Sequence, residues 1–387
     1  MYKIILVAIF LFCMSSNDAK AHEFNPSIAD EFGIEFAENY LLASFANDKF
    51  WEVLGENDFP EYYGGHFFCQ KGKFHFKVTD TSLAEEGIFA EFIEDENVII
   101  VTVEFSHSDL TNVMKEIEKY VQDNPSCVLK IASWGIDQCN NTVVVNLLDF
   151  SDEMEAIFKQ KVTDSGAITL VQGENVKTLV PRALSEMSDS FNNLAPGTRI
   201  YIGKFAFSAG YPAIRNDQPG FVTALHGLPL TDEYVRIHSP TGQIIGSVTS
   251  PIKFQNSADG AFIALVDATF SHEVDKKNLV NSQNRPAQGM ILTSVSALQN
   301  GESHIQRNIV VTNPHFSANF GDGLVLSDLV QTNGTAMYGE SGGIVVRPIS
   351  DTAEIMGVIV GSNSETDQNM FFAWSENVDR ALGVVLD

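Results

Sequence analysis

Ser341 lies in the run Gly339-Glu340-Ser341-Gly342-Gly343, a hydroxyl between glycines, where a backbone can turn sharply enough to present the oxygen to a carbonyl. A serine hydroxyl attacks only when a neighbouring base takes its proton, so the accompanying histidine and carboxylate, and their order, decide the chemistry. The order Ser, acid, His is excluded, because the nine histidines are His22, His66, His75, His107, His226, His238, His272, His304 and His315, all upstream of Ser341. The order His, Asp, Ser is available. His226 closes the apolar run Gly220-Phe221-Val222-Thr223-Ala224-Leu225, and Asp259 follows 33 residues later in Ala258-Asp259-Gly260-Ala261-Phe262. In such a set His226 takes and returns the serine proton, while Asp259 fixes the imidazole tautomer and stabilises its charged form. The amides of Gly339 and Ser341 face the developing oxyanion. Asp267 and Asp322 are the remaining acidic candidates.

Strands must carry these groups. From residue 200 the chain alternates short β-prone runs with Gly, Asn, Ser and Pro: 200–202, 220–224, 234–237, 243–248, 261–266, 290–295, 309–312, 342–346 and 355–360. Only 376–382 has helical spacing. Evenly spaced strands of this kind predict antiparallel barrels, and the length suits a pair of small ones. Upstream, 98–105 reads as a strand. Residues 109–122 read as a helix with Leu110, Val113, Met114, Ile117 and Val121 on one face and Ser108 or Asp109 as its cap. Strands at 128–134 and 142–148 flank a turn at 135–141, a second helix starts at Ser151-Asp152-Glu153, and 167–172 is a closing strand. The order β-α-β-β-α-β predicts a split βαβ sandwich.

A formal charge of −26 opposes nucleic acid and anionic membranes as partners, since both need clustered Lys and Arg. Lys3, the apolar run 4–14 and the small-residue sequence Ala19-Lys20-Ala21 read as a signal peptide over 1–21, too short in its apolar part to span a bilayer. The mature product is therefore expected to be secreted. Beyond Cys13, the cysteines Cys69, Cys127 and Cys139 all lie in the first half. A Cys127 to Cys139 bridge with Cys69 free fits an oxidising compartment, but pairing cannot be read from sequence. No spacing suggests a metal site, and no cofactor is implied.

The segments Lys130-Ile131-Ala132-Ser133-Trp134-Gly135-Ile136-Asp137 and Asn141-Thr142-Val143-Val144-Val145, with Phe76-Lys77-Val78-Thr79-Asp80 upstream, resemble the pro-region of alpha-lytic protease and streptogrisin-type serine peptidases over residues 65–175. The stretch 220–227 resembles the general-base segment of chymotrypsin-like peptidases. This resemblance implies a mainly β enzyme of two antiparallel six-stranded barrels over 199–387, preceded by an α+β pro-region over 22–198 that assists folding, inhibits the enzyme and is removed. It assigns His226, Asp259 and Ser341 as the catalytic residues, and Thr335, Val360, Gly361 and Ser362 to substrate binding. Thr335 at the specificity position argues against a basic-residue pocket and for small or medium apolar side chains. The expected partners are protein or peptide substrates and the chain's own pro-region, with a monomer after processing. Processing is expected in the turn-prone Asn192-Asn193-Leu194-Ala195-Pro196-Gly197, with Arg199-Ile200 as a further candidate bond.

Three positions depart from the family pattern. Gly227 replaces the cysteine that follows the histidine, Glu340 replaces an aspartate before the nucleophile, and Val360 replaces a serine that supports the catalytic aspartate. These departures motivate the alternative of a catalytically inactive homologue that binds proteins.

Overall fold

The computed structural model describes residues 24–386 apart from 56–57, 126–127, 180–193, 204, 225, 227–233, 238, 256, 267, 283, 298–302, 321–323, 364–365 and 367. The leader 1–21, Cys127, Asn192, Asn193, Gly227, Asp267 and Asp322 lie outside the described residues.

The N-terminal half opens with two helices, Pro26–Phe32 and Ile34–Leu54, packed on a three-stranded sheet of Tyr63–Phe68, Phe74–Val78 and Val98–Thr102. Phe50, Phe74, Phe76, Phe89 and Phe92, all fully buried, fill the space between them. Stacked and edge-on rings at centroid separations of 5.1 to 6.0 Å hold this core. After two short helices, Thr81–Glu86 and Ala90–Ile93, the helix expected at 109–122 spans His107–Asp123 and starts two residues earlier. Its cap is Ser106 rather than Ser108 or Asp109: the Asp109 amide donates to Ser106 Oγ at 3.1 Å, and the Ser106 amide donates to Asp109 Oδ2 at 2.9 Å.

The expected β-α-β-β-α-β order is present, but its strands belong to two sheets. Val98–Thr102 runs parallel to Phe74–Val78, whereas Ile131–Asp137, Thr142–Leu147 and Ile168–Gln172 form a second group. The turn between the first two of these falls at 138–141, not 135–141. Asp137 Oδ1 accepts from the amides of Cys139 and Asn140, and Asn141 takes φ 53°, so Gly135 and Ile136 stay extended.

The C-terminal half is two curled sheets, antiparallel as expected except that Lys277–Asn281 runs parallel to Thr352–Asn363 in the second. In the first, seven strands run in the spatial order Tyr211–Arg215, Gln218–Thr223, Ala258–Leu265, Ile244–Gln255, Tyr234–Arg236, Arg199–Ile202, Phe205–Ser208. Its interior is Ile200, Phe207, Phe221, Val235, Ala261 and Ile263. The second is built from eight strands between Glu273 and Trp374, and the helix Ser375–Leu382 packs against both sheets. The expected pair of barrels is thus present. Seven and eight strands replace six and six because short segments such as Arg199–Ile202 and Phe205–Ser208 pair as separate hairpin arms.

The two halves share one sheet. The long strand Ser303–Asn319 pairs through Phe316, Ser317 and Ala318 with Gly135, Trp134 and Ser133, so the sheet of the second barrel continues into 131–172. A Cβ on Gly135 would lie 2.2 Å from Asn313 Nδ2 and 2.8 Å from the His315 carbonyl, which is why glycine stands at this contact. The helical part docks on the same barrel: Tyr40 Oη accepts from the Ile291 amide at 2.8 Å, and Arg347 donates to Asp48 at 2.9 Å. Residues expected to be an accessible junction are instead built into the first barrel. Leu194 and Gly197 are buried and hydrogen bonded to Ser271 and Ala209, and Arg199 and Ile200 lie in a buried strand.

Candidate active site

The first barrel brings His226 and Asp259 together by strand register. Gln218–Thr223 runs antiparallel to Ala258–Leu265 with Thr223 opposite Ala261, so the chain leaving the first strand arrives at the level where the second begins. His226 Nδ1 and Asp259 Oδ2 are 2.5 Å apart, and both side chains are fully buried. Burial in a medium of low polarity strengthens this hydrogen bond and holds the imidazole in one orientation. The other ring nitrogen, Nε2, lies 2.7 Å from Ser341 Oγ. Three groups separated by 115 residues of chain therefore form one hydrogen-bonded line, Asp259 to His226 to Ser341.

Ser341 is held by a loop that leads into Ile344–Ile349, a strand of the second barrel. The Gly342 amide donates to the Ile359 carbonyl at 2.9 Å, and the Ile359 amide donates to the Gly343 carbonyl at 2.8 Å. A Cβ at Gly342, where φ is 82°, would meet Thr223 Oγ1 at 2.0 Å and the Ser208 carbonyl at 2.5 Å. Gly342 is thus required by the close approach of the two barrels.

Ser208, which carried no signal in the sequence, ties the barrels together here. Its hydroxyl donates to the Gly339 carbonyl at 2.9 Å and accepts from the Ala297 amide at 2.9 Å, while its own amide donates to the Ser341 carbonyl at 2.8 Å. Gly339 has φ 95°. Among the described residues neither the Gly339 nor the Ser341 amide donates a hydrogen bond, so this turn leaves two amide donors near the Ser341 hydroxyl.

Glu340 is fully buried. Its Oε1 accepts from the Ser296 hydroxyl at 2.7 Å and its Oε2 from the Met337 amide at 2.6 Å. The longer side chain curls back over its own loop and gives each carboxylate oxygen a donor, so the extra methylene tightens the turn. Val360 is buried among apolar neighbours and offers no hydroxyl to Asp259.

The substrate-binding candidates Thr335, Val360, Gly361 and Ser362 lie on two neighbouring segments. Ser362 Oγ donates to the Ala336 carbonyl at 3.0 Å, tying the edge 360–362 to the loop before the nucleophile. The Thr335 amide and hydroxyl both donate to Gln306 Oε1, at 2.9 and 3.0 Å, and Gln306 Nε2 donates to the Thr335 carbonyl at 2.6 Å. Gln306 is a second residue not singled out beforehand. The edge is already paired: Val176–Thr178 adds to Thr352–Asn363 as an antiparallel strand.

Comparison with known proteins bears on both halves. Residues 14–103 match a Pro-like N-terminal domain and residues 108–173 a Pro-like C-terminal domain. The first half of the chain therefore matches Pro-like N- and C-terminal domains, and it is joined to a pair of curled β-sheets. No curated protein matches it in sequence. Among solved structures it is similar to a glutamic acid-specific serine protease that uses a histidine triad in substrate binding, at 19% identity over 50% of this chain and 100% of that one, TM-score 0.40. It is also similar to an alpha-lytic protease homologue at 15% identity over 51% and 100%, TM-score 0.41. A third is protease A of Thermobifida fusca at 19% identity over 50% and 98%, TM-score 0.38.

Proposed function

We propose that this chain is the precursor of a secreted serine endopeptidase, with a signal peptide at 1–21, a pro-region from residue 22, and catalysis by Ser341, His226 and Asp259 in the double barrel. The observation that carries this reading is the continuous line from Asp259 through His226 to Ser341 at 2.5 and 2.7 Å. His226 Nε2 takes the Ser341 proton as Oγ attacks a peptide carbonyl, and Asp259 stabilises the resulting imidazolium. The oxyanion is received by the Gly339 and Ser341 amides, and loss of one such donor costs about 100-fold or more in rate. His226 then gives the proton to the leaving amine, and water hydrolyses the acyl-enzyme. None of these steps needs a metal or cofactor.

The pro-region acts on the same site as inhibitor and template. Val176–Thr178 covers the edge that an extended substrate would use, and Ser341 is fully buried in this form of the chain. The pairing of Ser303–Asn319 with Ile131–Asp137 gives an irregular long strand a ready edge to form on, the kind of non-local contact that is slow to form unaided. Among the described residues no helix is long and apolar enough to cross a membrane.

The test is labelling of the processed protein with a fluorophosphonate, together with turnover of casein. Both should be present in wild type and absent in Ser341→Ala. A protein that turns over casein equally well without Ser341, or a wild type that never labels, would remove the assignment.

A further inference from the structure

We infer that the pocket beside Ser341 takes leucine, and that the chain's own Leu179 marks the first bond it cuts; this rests on the serine endopeptidase reading above. In the strand at the groove, Val176 lies opposite Asn363, Lys177 opposite Ser362 and Thr178 opposite Gly361. Leu179 continues the ladder, donating its amide to the Val360 carbonyl at 3.3 Å. Each residue forward along 176–179 is one residue back along 363–360, toward Ile359, whose amide and carbonyl are bonded to Gly343 and Gly342. The ladder thus runs toward the loop of Ser341, and in this register the Leu179 carbonyl is the one offered for attack. An extended peptide bound by strand addition is held in register by such a ladder and selected by the pockets that receive its side chains.

The walls explain the choice of leucine. The Leu179 side chain is fully buried and belongs to an apolar cluster with Ala336, Ile359 and Met370. The Met370 amide donates to the Gly334 carbonyl at 2.9 Å, and Ser362 is tied to Ala336, so segments 334–336, 360–362 and 368–370 are held against one another. None of these residues carries a charge. The polar atoms of Thr335 are already engaged by Gln306. A basic or acidic side chain would therefore lose its hydration without gaining a counter-charge, whereas leucine exchanges water for apolar contact. Two residues earlier, Lys177 places its ammonium 5.2 Å from the Tyr338 ring centroid. A Cβ on Gly361 would lie 2.2 Å from the Lys177 carbonyl, so the edge is shaped to receive a backbone at this distance.

The reaction balances within the chain. Ser341 Oγ bonds to the Leu179 carbonyl carbon and its proton passes to His226. The bond from Leu179 to Val180 breaks and His226 returns that proton to the Val180 amine. Water then cleaves the ester, restoring Ser341 and leaving residues 176–179 in the groove as a product until the pro-region is destroyed. The cut falls on the carboxyl side of Leu179, upstream of the turn-rich 192–197 and of Arg199, whose backbone is part of the barrel.

Two measurements on the full-length wild-type protein test this. Intact mass and N-terminal sequencing after self-processing should show a chain beginning at Val180. The processed enzyme should cleave acetyl-Val-Lys-Thr-Leu-p-nitroanilide at least tenfold faster, in kcat/KM, than the analogues ending in Arg or Glu. An uncut Leu179–Val180 bond in a chain processed elsewhere, or equal rates on the Arg or Glu analogue, overturns the assignment. Fluorophosphonate labelling and casein turnover on the same sample separate the two ideas: if they persist while these results fail, only the leucine assignment falls, and if labelling is absent the peptidase reading falls with it.

Discussion

Glu340 sits where the family pattern has aspartate, and shortening it to that residue should damage the enzyme. The two carboxylate oxygens are 2.6 and 2.7 Å from the Met337 amide and Ser296 hydroxyl. Removing one methylene retracts the carboxylate by about 1.5 Å, one carbon–carbon bond, and both contacts cannot then survive. A hydrogen bond to a charged group contributes about 1.5 to 3 kcal/mol. Where the donor lost is the Met337 amide, the loss falls on the turn that carries the Gly339 amide and Ser341, and so on the geometry of attack. At about 1.4 kcal/mol per decade, Glu340→Asp should lower kcat/KM by about 10- to 150-fold. The assay is hydrolysis of a leucyl anilide alongside thermal unfolding, with Ser296→Ala and the double variant included. Ser296→Ala removes one partner only and should cost less, and the double variant should fall short of the sum because the two changes share one carboxylate. If Glu340→Asp keeps kcat/KM within twofold of wild type and unfolds at the same temperature, the carboxylate is not what holds this loop.

Acidification should loosen the contact between the two halves. Burial holds His66 and His107 neutral, lowering each pKa from 6.5 to about 3, and neighbouring His315 adds to this in both; Arg285 also opposes charge on His107, while Asp328 favours it. Because the folded pKa lies below the unfolded one, the stability is complete above about pH 6.5 and is lost progressively as pH falls toward 3. At pH 5 one such histidine costs about 2 kcal/mol. Thermal unfolding of Ser341→Ala full-length protein should therefore occur several degrees lower at pH 5 than at pH 7, and an unchanged temperature would count against it. Gly135→Ala forces a methyl to within 2.2 Å of Asn313 Nδ2 and should weaken docking of the pro-region by about 1 to 3 kcal/mol; calorimetry of the same protein reads it as a lower transition, and no change would refute the contact. Gly361→Ala, whose Cβ would press on the Lys177 carbonyl, should raise KM for extended peptides more than for a single-residue ester, and equal effects on the two would contradict strand addition.

The residues of the proposed site were readable along the chain because the proposal depends on residue types and their order. A histidine at the end of an apolar strand, an aspartate entering another and a serine among glycines are each set by local sequence, and so were the helix after Ser151 and most of the barrel strands. The helix Ile34–Leu54 was not legible because apolar residues also occupy its outer side, Leu42 among them at 45% exposure, which blurs the period that marks an amphipathic helix. Only the folded chain decides what depends on residues far apart meeting. Ser208 and Gln306 are ordinary polar residues until two barrels, or two neighbouring strands, bring them to Gly339 and Thr335. Glu340 looked too long until its carboxylate was seen to turn back on Met337 and Ser296. The strand Val176–Thr178 gains its meaning from the edge it lies on. Sequence determines which side chains are available and on which face of an element they stand. Register between distant strands determines which of them touch, and it is set by the packing of the whole molecule.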